Sequence, residues 1–310
     1  MIWGAVIVAA GRGTRFGGPK QLIDLAGKPM LAWSIETFAS MPEIVELVVV
    51  TEPDYLDAIK TICAKSARGV LPWRVVAGGS TRQESVRLGI AALPLPCGGV
   101  LVHDGARPLV EAQDIRSGMH PVRPGIATLL ATPCIDTIKV ANDDRKVVRT
   151  MDRSTLWAAQ TPQFATYRDM ERAHGEALRG EWPAATDDAA LLERAGCDVL
   201  LIPASPENFK VTVPHDRARA ETILRERATH TWPAESLIVE CYVDPRAVDD
   251  VTAELAARSA RIDGVERDLP AAVAIRAHVE SERLRGFGAR LHALAGEDAF
   301  FTTHVGTPPG

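Results

Sequence analysis

The chain has 310 residues, 46% of them hydrophobic and 24% charged, with a formal net charge of −5. That is the composition of a globular protein with room for one substantial unit and a smaller one, and it excludes the strongly basic footprint of a nucleic-acid binder. No apolar run is long enough for a bilayer span, and the opening run has no basic leader, so neither signal peptide nor membrane partner is expected. Cys63, Cys97, Cys134, Cys197 and Cys241 include no C-x-x-C pair, which predicts reduced thiols in a cytoplasmic protein and no zinc site. Residues 233–310 hold eight arginines, no lysine and 13 acids, a net of −5, so residues 1–232 are neutral. Positive charge for an anionic ligand must therefore be gathered locally.

The first feature in chain order is the apolar run Ile2–Ala10, which opens into Gly11-Arg12-Gly13-Thr14-Arg15-Phe16-Gly17-Gly18-Pro19-Lys20-Gln21. A strand that turns directly into such a loop brings backbone N–H groups close to a ligand. Gly11 and Gly13 remove Cβ atoms that would block a phosphate, while Arg12, Arg15 and Lys20 add charge. Spacing separates the glycine-rich loops. The P-loop requires Lys followed by Ser or Thr, but Gln21 follows Lys20. The dinucleotide loop requires a third glycine where Phe16 stands, and an acid about 20 residues on; Glu52 is too distant. The pattern A-A-G-x-G-x-R followed by P-K-Q fits the nucleotidyltransferase loop at Ala9, Ala10, Gly11, Gly13, Arg15, Pro19, Lys20 and Gln21.

Farther on, β-rich runs are predicted at Ala5–Ala9, Leu47–Val50, Arg74–Val76, Val100–His103, Ala127–Ala131 and Val199–Ile202. Helical stretches between them include Met30–Ser40, Ser85–Leu93 and Thr186–Ala195. The alternation predicts an α/β, Rossmann-like, mainly parallel sheet with helices on both faces. Its ligands should sit beyond the carboxyl ends of strands, where the loops Gly11–Gln21, Gly78–Ser85 and Asp104–Pro108 fall. Residues 137–153 flank the turn signal Asn142-Asp143-Asp144 and predict a protruding β-hairpin arm. A boundary near His230–Glu235 divides residues 1–230 from a small α/β module, 235–310. In that module we expect a strand at Leu237–Val243, a helix at Val248–Ala260, a longer helical stretch at Ala271–Ala295 interrupted by Gly286-Phe287-Gly288, and a last strand at Ala299–Thr303.

Several motifs occur in one order: Ala9–Gln21, Gly78-Gly79 with Arg82 and Ser85, His103-Asp104-Gly105-Ala106-Arg107-Pro108, and Asp136-Thr137-Ile138-Lys139. Trp157, Gln160-Thr161-Pro162-Gln163-Phe164, Thr186-Asp187-Asp188-Ala189 and Asn208-Phe209-Lys210-Val211-Thr212 follow. Over about residues 3–225 this set resembles the 2-C-methyl-D-erythritol 4-phosphate cytidylyltransferases. The stretch between Arg15 and Pro19 is shorter than that family's. The module after Glu235 is foreign to the minimal enzyme, too short for the cyclodiphosphate synthase sometimes fused there, and lacks its D-x-H pair.

The resemblance implies attack by a sugar-phosphate oxygen on the α-phosphorus of CTP, with pyrophosphate leaving. Lys20 and Arg15 would stabilise the α-phosphate and the departing pyrophosphate, and Mg2+ would bridge the phosphates with Asp104 near it or near the ribose. Ala9, Ala10, Gly11, Gly13, Asp104 and Ala106 would line the nucleotide, with Gly79, Ser80 and the Ser85 hydroxyl reading cytosine. Arg107 and Lys210 would grip the incoming polyol phosphate, Lys210 also steadying the α-phosphate as a catalytic residue with Arg15 and Lys20, and Thr161 and Thr186 would offer the polyol hydroxyls. Thr137 and Arg153 on the arm would reach the neighbouring subunit's site, making a homodimer. His103 is expected to be structural. Competing readings are a cytidylyltransferase for another polyol phosphate such as D-ribitol 5-phosphate, a nicotinamide-dependent reductase, and a non-catalytic scaffold whose acidic tail recruits a partner. The tail's own partner is not specified by the sequence.

Overall fold

The computed structural model describes residues 1–11, 19–67, 69, 71–94, 97–180, 182–183, 185–229, 236–267, 272–296 and 298–305. The expected phosphate loop around Gly13 and Arg15, and the boundary at 230–235, lie outside the described residues.

In chain order the first part contains β1 (Trp3–Val8), β2 (Asp24–Leu25), β3 (Lys28–Pro29), α1 (Met30–Ala39), β4 (Ile44–Thr51), α2 (Leu56–Ser66), β5 (Trp73–Ala77) and α3 (Arg82–Ala91). Then come β6 (Gly99–Asp104), α4 (Ala112–Met119), β7 (Ile126–Pro133), β8 (Lys139–Ala141), β9 (Val147–Thr150), β10 (Trp157–Thr166), α5 (Tyr167–Arg179), α6 (Asp188–Arg194), β11 (Asp198–Pro203) and α7 (Pro214–Thr229). Seven strands form one sheet in the order β11-β7-β10-β6-β1-β4-β5. All run parallel except β10, which is antiparallel to both neighbours.

The central strands read as unbroken apolar runs because both faces are covered. Ala5, Ile7, Leu47 and Val49 pack with Ile35, Ile59 and Ile115 from α1, α2 and α4. Val6, Val48 and Val50 pack on the other side with Val86 and Ile90 of α3 and Met170 of α5. The chain leaves β1 toward β4 and β5, then returns to β6 on the other flank of β1. This reversal makes a crevice above the carboxyl ends of β1 and β6.

β10 was not among the predicted strands. Gln160, Thr161, Pro162 and Gln163 interrupt its apolar pattern, yet the three polar side chains are buried. Pro162 has no N–H to give a ladder, and pairing with β7 skips from Ala159 to Gln163. The 137–153 arm is present as β8 and β9, every residue of both strands exposed. Its turn closes with Asn142 Oδ1 accepting from the Lys146 N–H at 2.9 Å and Arg145 at φ +61°.

The C-terminal part corrects one expectation. β12 (Ser236–Val243), α8 (Val248–Ala257), β13 (Arg261–Glu266), β14 (Val273–Glu280), α9 (Phe287–Ala295) and β15 (Phe300–Val305) form a four-stranded antiparallel sheet, ordered β13-β14-β12-β15. This is the split βαβ arrangement. Residues 273–280, expected to be helical, are a strand. Val273, Ile275, Ala277 and Val279 face the core while Arg276 and Glu280 are exposed, a period of two that no helix presents.

This sheet's core takes in Ile2, and Val45 packs against it. Arg116 Nε lies 2.9 Å from Glu43 Oε1, and the Thr303 hydroxyl bonds the same carboxylate. The contact is made at the amino ends of β1 and β4, opposite the crevice.

Candidate active site

A cleft of about 360 Å3 occupies the crevice, lined by Val8, Ala9, Ala10, Gly11, Gln21, Glu52, Gly79, Ser80, Thr81, Arg82, Ser85, Asp104, Gly105, Ala106 and Lys210. The structure thus brings together nine of the expected residues, Ala9, Ala10, Gly11, Gly79, Ser80, Ser85, Asp104, Ala106 and Lys210. Lys20 begins a short 3-10 turn, Lys20–Leu22, directly before the cleft residue Gln21.

One wall is the loop before α3. Thr81 caps the helix, its hydroxyl accepting from the Glu84 N–H at 3.0 Å. Glu84 reaches back to accept from the Ser80 N–H at 2.7 Å, a reciprocal arrangement like the capping box. A Cβ on Gly79 would stand 2.2 Å from the Glu84 side chain, so a larger residue there would push Glu84 out of this bond. At Gly11, by contrast, no described atom lies within 4 Å of where a Cβ would be. Ser85 is buried, its hydroxyl accepting from the Gly79 N–H at 3.1 Å and donating to the Thr81 carbonyl at 2.9 Å. It shapes the loop with its one donor, and its oxygen keeps a second lone pair for a donor in the cleft that Ser85 lines.

The floor is Asp104, last residue of β6. Lys210 Nζ lies 2.8 Å from its Oδ2, Arg82 Nε 3.4 Å from Oδ1, and Arg107 Nε 3.9 Å from Oδ2. Burial alone would raise this acid, but Arg82 and then Lys210 outweigh it and hold Asp104 well below the usual carboxylate range. Lys210 owes its place to Asn208, whose buried amide donates to Gln160 Oε1 and the Thr161 carbonyl, each at 2.9 Å. The Val211 N–H then bonds the Ala106 carbonyl at 2.8 Å. Asn208 ties the loop down and Lys210 projects from it.

Thr161 and Arg107 lie behind the floor. The Thr161 hydroxyl accepts from the Asp104 N–H at 3.0 Å and sits 3.1 Å from His103 Nδ1. The other ring nitrogen, Nε2, is 3.0 Å from the Arg107 carbonyl and must donate to it, so Thr161 donates to Nδ1. Thr161 therefore fixes the Asp104 backbone and offers no hydroxyl to a polyol, a correction forced by its burial. Arg107 donates to the Asn208 carbonyl at 2.7 Å, and burial lowers its pKa. In this structure it braces the Lys210 loop. Thr137, Arg153 and Thr186 are exposed and line no part of this cleft in the single chain. Among the described residues, Arg153 donates to the Ile135 carbonyl at 3.1 Å.

His103 is structural, as expected. Burial pushes it down to about 4, so the folded state holds it neutral while the unfolded chain protonates near 6.5. Its contribution is fully present above pH 6.5 and is lost as pH falls toward 4. Urea unfolding should therefore show about 2 kcal/mol less stability at pH 5 than at pH 7.5 from this residue. A His103→Asn variant with the same slope would refute that source.

Two residues escaped the sequence reading as ligand contacts, although both stand inside quoted motifs. Gln21 is buried against the cleft, and its Nε2 has no hydrogen-bond partner among the described residues. Arg82 bridges Asp104 and Asp188. The P-K-Q run was the available signal for the first; for the second it was only the place after Gly78-Gly79, since its partner Asp188 is far along the chain.

A mainly parallel sheet wound about a switch point, with a lysine–aspartate pair sharing a cleft with Gly11 and Gly79, is the framework of an α/β nucleotide-binding enzyme. The family model for 2-C-methyl-D-erythritol 4-phosphate cytidylyltransferase matches residues 3–226. A protein of that name from Prochlorococcus marinus (strain MIT 9313) is 43% identical over 225 residues, 72% of this chain and 98% of that protein. The crystal structure of the Thermus thermophilus cytidylyltransferase aligns with TM-score 0.60 and 30% identity, covering 73% of this chain and 100% of its own. That of 4-diphosphocytidyl-2C-methyl-D-erythritol synthase from Anaerococcus prevotii DSM 20548 aligns with TM-score 0.64 and 29% identity, covering 72% and 98%. The chain belongs to this family of CTP-dependent cytidylyltransferases of isoprenoid biosynthesis.

Proposed function

We propose that this cleft is where CMP passes from CTP to 2-C-methyl-D-erythritol 4-phosphate. The observation that carries the reading is the Asp104–Lys210 pair, set beneath Gly11 and Gly79 at the switch point. An ionised oxygen of the acceptor phosphate attacks the α-phosphorus; the new P–O bond forms as the bond to the β-phosphate breaks, and pyrophosphate leaves. No general base is needed. His103, neutral and bonded on both sides, is not available as one.

Lys20, Arg15 and Lys210 supply the charge that the transition state gathers, so catalysis is positioning plus electrostatics. Ala9, Ala10, Gly11, Gly13 and Ala106 line the nucleotide, and Gln21 offers its buried amide as a further donor. The cytosine amine donates, so its reading falls to acceptors such as this loop's carbonyl oxygens, while the N–H groups of Gly79 and Ser80 are engaged within the protein. The open space at Gly11 supports a glycine kept for what the cleft holds.

Mg2+ fits this arrangement as a companion of the nucleotide. No group of three or more candidate metal ligands exists among the described residues, and Asp104 is ringed by cations that would repel a free ion. Its Oδ1 contact to Arg82 is long, which leaves that oxygen able to hold an ion already carried by phosphates. Bound there, Mg2+ would neutralise triphosphate charge. The five free thiols support a cytoplasmic setting.

The arm supports a homodimer. Ile135, Val147 and Val148 are 83%, 60% and 68% exposed, and a lone two-stranded hairpin with an apolar face is marginal in water. Covered by a second copy, it would carry Thr137 and Arg153 toward that copy's cleft, where Thr186 stands as a rim hydroxyl. Mixing Lys20→Ala with Arg153→Ala subunits should then restore activity, because a mixed dimer contains one intact site. Residues 1–230 form the catalytic unit and 235–310 a second unit packed at its far end. Removing 235–310 should leave kcat within about 3-fold. Exposing Ile2 and its neighbours should cost about 2 kcal/mol, a fall of about 4–8 °C in Tm.

The deciding assay incubates the full chain with CTP, Mg2+ and methylerythritol phosphate and measures pyrophosphate release. Turnover with that acceptor well above turnover with D-ribitol 5-phosphate is expected. The reverse preference would sink the assignment.

A further inference from the structure

From the cleft wall a line of charge runs inward from Asp104 through Arg82 to Asp188 and His174, and the reaction above gives no part to its last three members. Arg82, on the first turn of α3, reaches two carboxylates: Nη2 lies 2.9 Å from Asp188 Oδ2 and Nε lies 3.4 Å from Asp104 Oδ1. Asp188 is 1% exposed, and His174 Nε2 sits 3.2 Å from its other oxygen. The position of Asp188 is itself set by Gln163 on β10, whose Oε1 accepts from the N–H groups of Asp188 and Ala189, each at 2.8 Å. Arg82 and then His174 hold Asp188 down to about 2 against the opposing effect of burial.

Such a line is poor stabilisation. Taking an arginine and two carboxylates out of water is costly, and apolar side chains of similar volume would join α3 to α6 as well. What apolar residues could not do is present a fixed N–H to Asp104. Among the described residues, the cations left near Asp104 without Arg82 are Lys210 and Arg107, and both lie on its Oδ2 side. The carboxylate would then turn toward them, and Lys210 would lose its aim.

We propose that Arg82 is a positioning residue, locked by Asp188 with His174 behind it, which holds the Asp104 carboxylate in one orientation and so aims Lys210. This rests on the reading of the cleft given above. Arg82 acts through Asp104, so its loss should lower kcat more than it weakens CTP binding.

The test begins with wild-type turnover in the pyrophosphate assay; an inactive wild type defeats the reading of the cleft, separately from this proposal. In Arg82→Ala, kcat should fall about 30-fold or more with the KM for CTP changed less than about 3-fold. Guanidinium ion at tens of millimolar should recover at least about 5-fold of the loss, while methylammonium should not, because it lacks a planar fork. The recovery should vanish in Arg82→Ala/Asp188→Asn, which lacks the carboxylate that seats the guanidinium. A merely structural defect would not follow that pattern. Normal kcat in Arg82→Ala, or a folded, slow variant that guanidinium leaves slow, overturns the proposal. If Arg82→Ala does not fold, Asp188→Asn decides: a lower kcat at an unchanged CTP KM supports it, and an unchanged kcat overturns it.

Discussion

Lys20→Ala should slow turnover by about 10²–10³, a loss of about 2.7–4 kcal/mol of transition-state stabilisation, with Arg15→Ala close behind. The expectation follows from charge. Two anions approach one another, and the leaving pyrophosphate gathers more negative charge as the α-phosphorus bond breaks. A cation held by the protein before the reaction stabilises that charge without reorganising solvent. Lys20 opens the 3-10 turn whose next residue, Gln21, is buried against the cleft, so the two are backbone neighbours. A proportionate fall in kcat and kcat/KM would show the contact to be made in the transition state. Near-normal turnover of Lys20→Ala would place the phosphates somewhere else.

The second large effect belongs to Asp104. Alanine there removes the shared counterion of Arg82 and Lys210, and breaking a buried pair costs about 3–5 kcal/mol. The stability loss should fall at or below the low end of that range. Lys210 still reaches solvent, its side chain 40% exposed, and Arg82 keeps Asp188. The activity loss should be larger, about 10²–10³, because Lys210 loses its anchor and the nucleotide-borne ion loses its carboxylate. Asp104→Asn separates the two effects: it keeps the shape and an acceptor for Arg82, so stability should largely return while activity does not. Asp104→Asn with unchanged kcat and Mg2+ dependence would remove Asp104 from the chemistry.

The distance between motif and role differed from residue to residue. Ala9, Gly11, Asp104 and Lys210 stand where their motifs suggested because each sits at a strand end or on a short loop, and the cleft follows from the order of the strands. Ser85 and Thr161 share those motifs, yet their hydroxyl protons are donated inside the protein. Hydroxyl chemistry alone does not say whether a serine or threonine faces ligand or neighbour. In the C-terminal module the alternation Val273, Ile275, Ala277, Val279 was present in the letters. The nearby alanines and the continuity with the following helix masked it, and pairing on both sides of β14 resolved it.

Local chemistry is enough to mark the loop that we propose holds phosphate. An apolar run that must be a buried strand, ending in glycines and cations, carries its meaning within a few neighbouring residues. The charge network beneath needed the folded molecule. Arg82 meets Asp188, and Lys210 meets Asp104, across 106 residues of chain in each case. Such partners are set by which strands lie side by side and which helices cover them, and burial then gives each pairing its consequence.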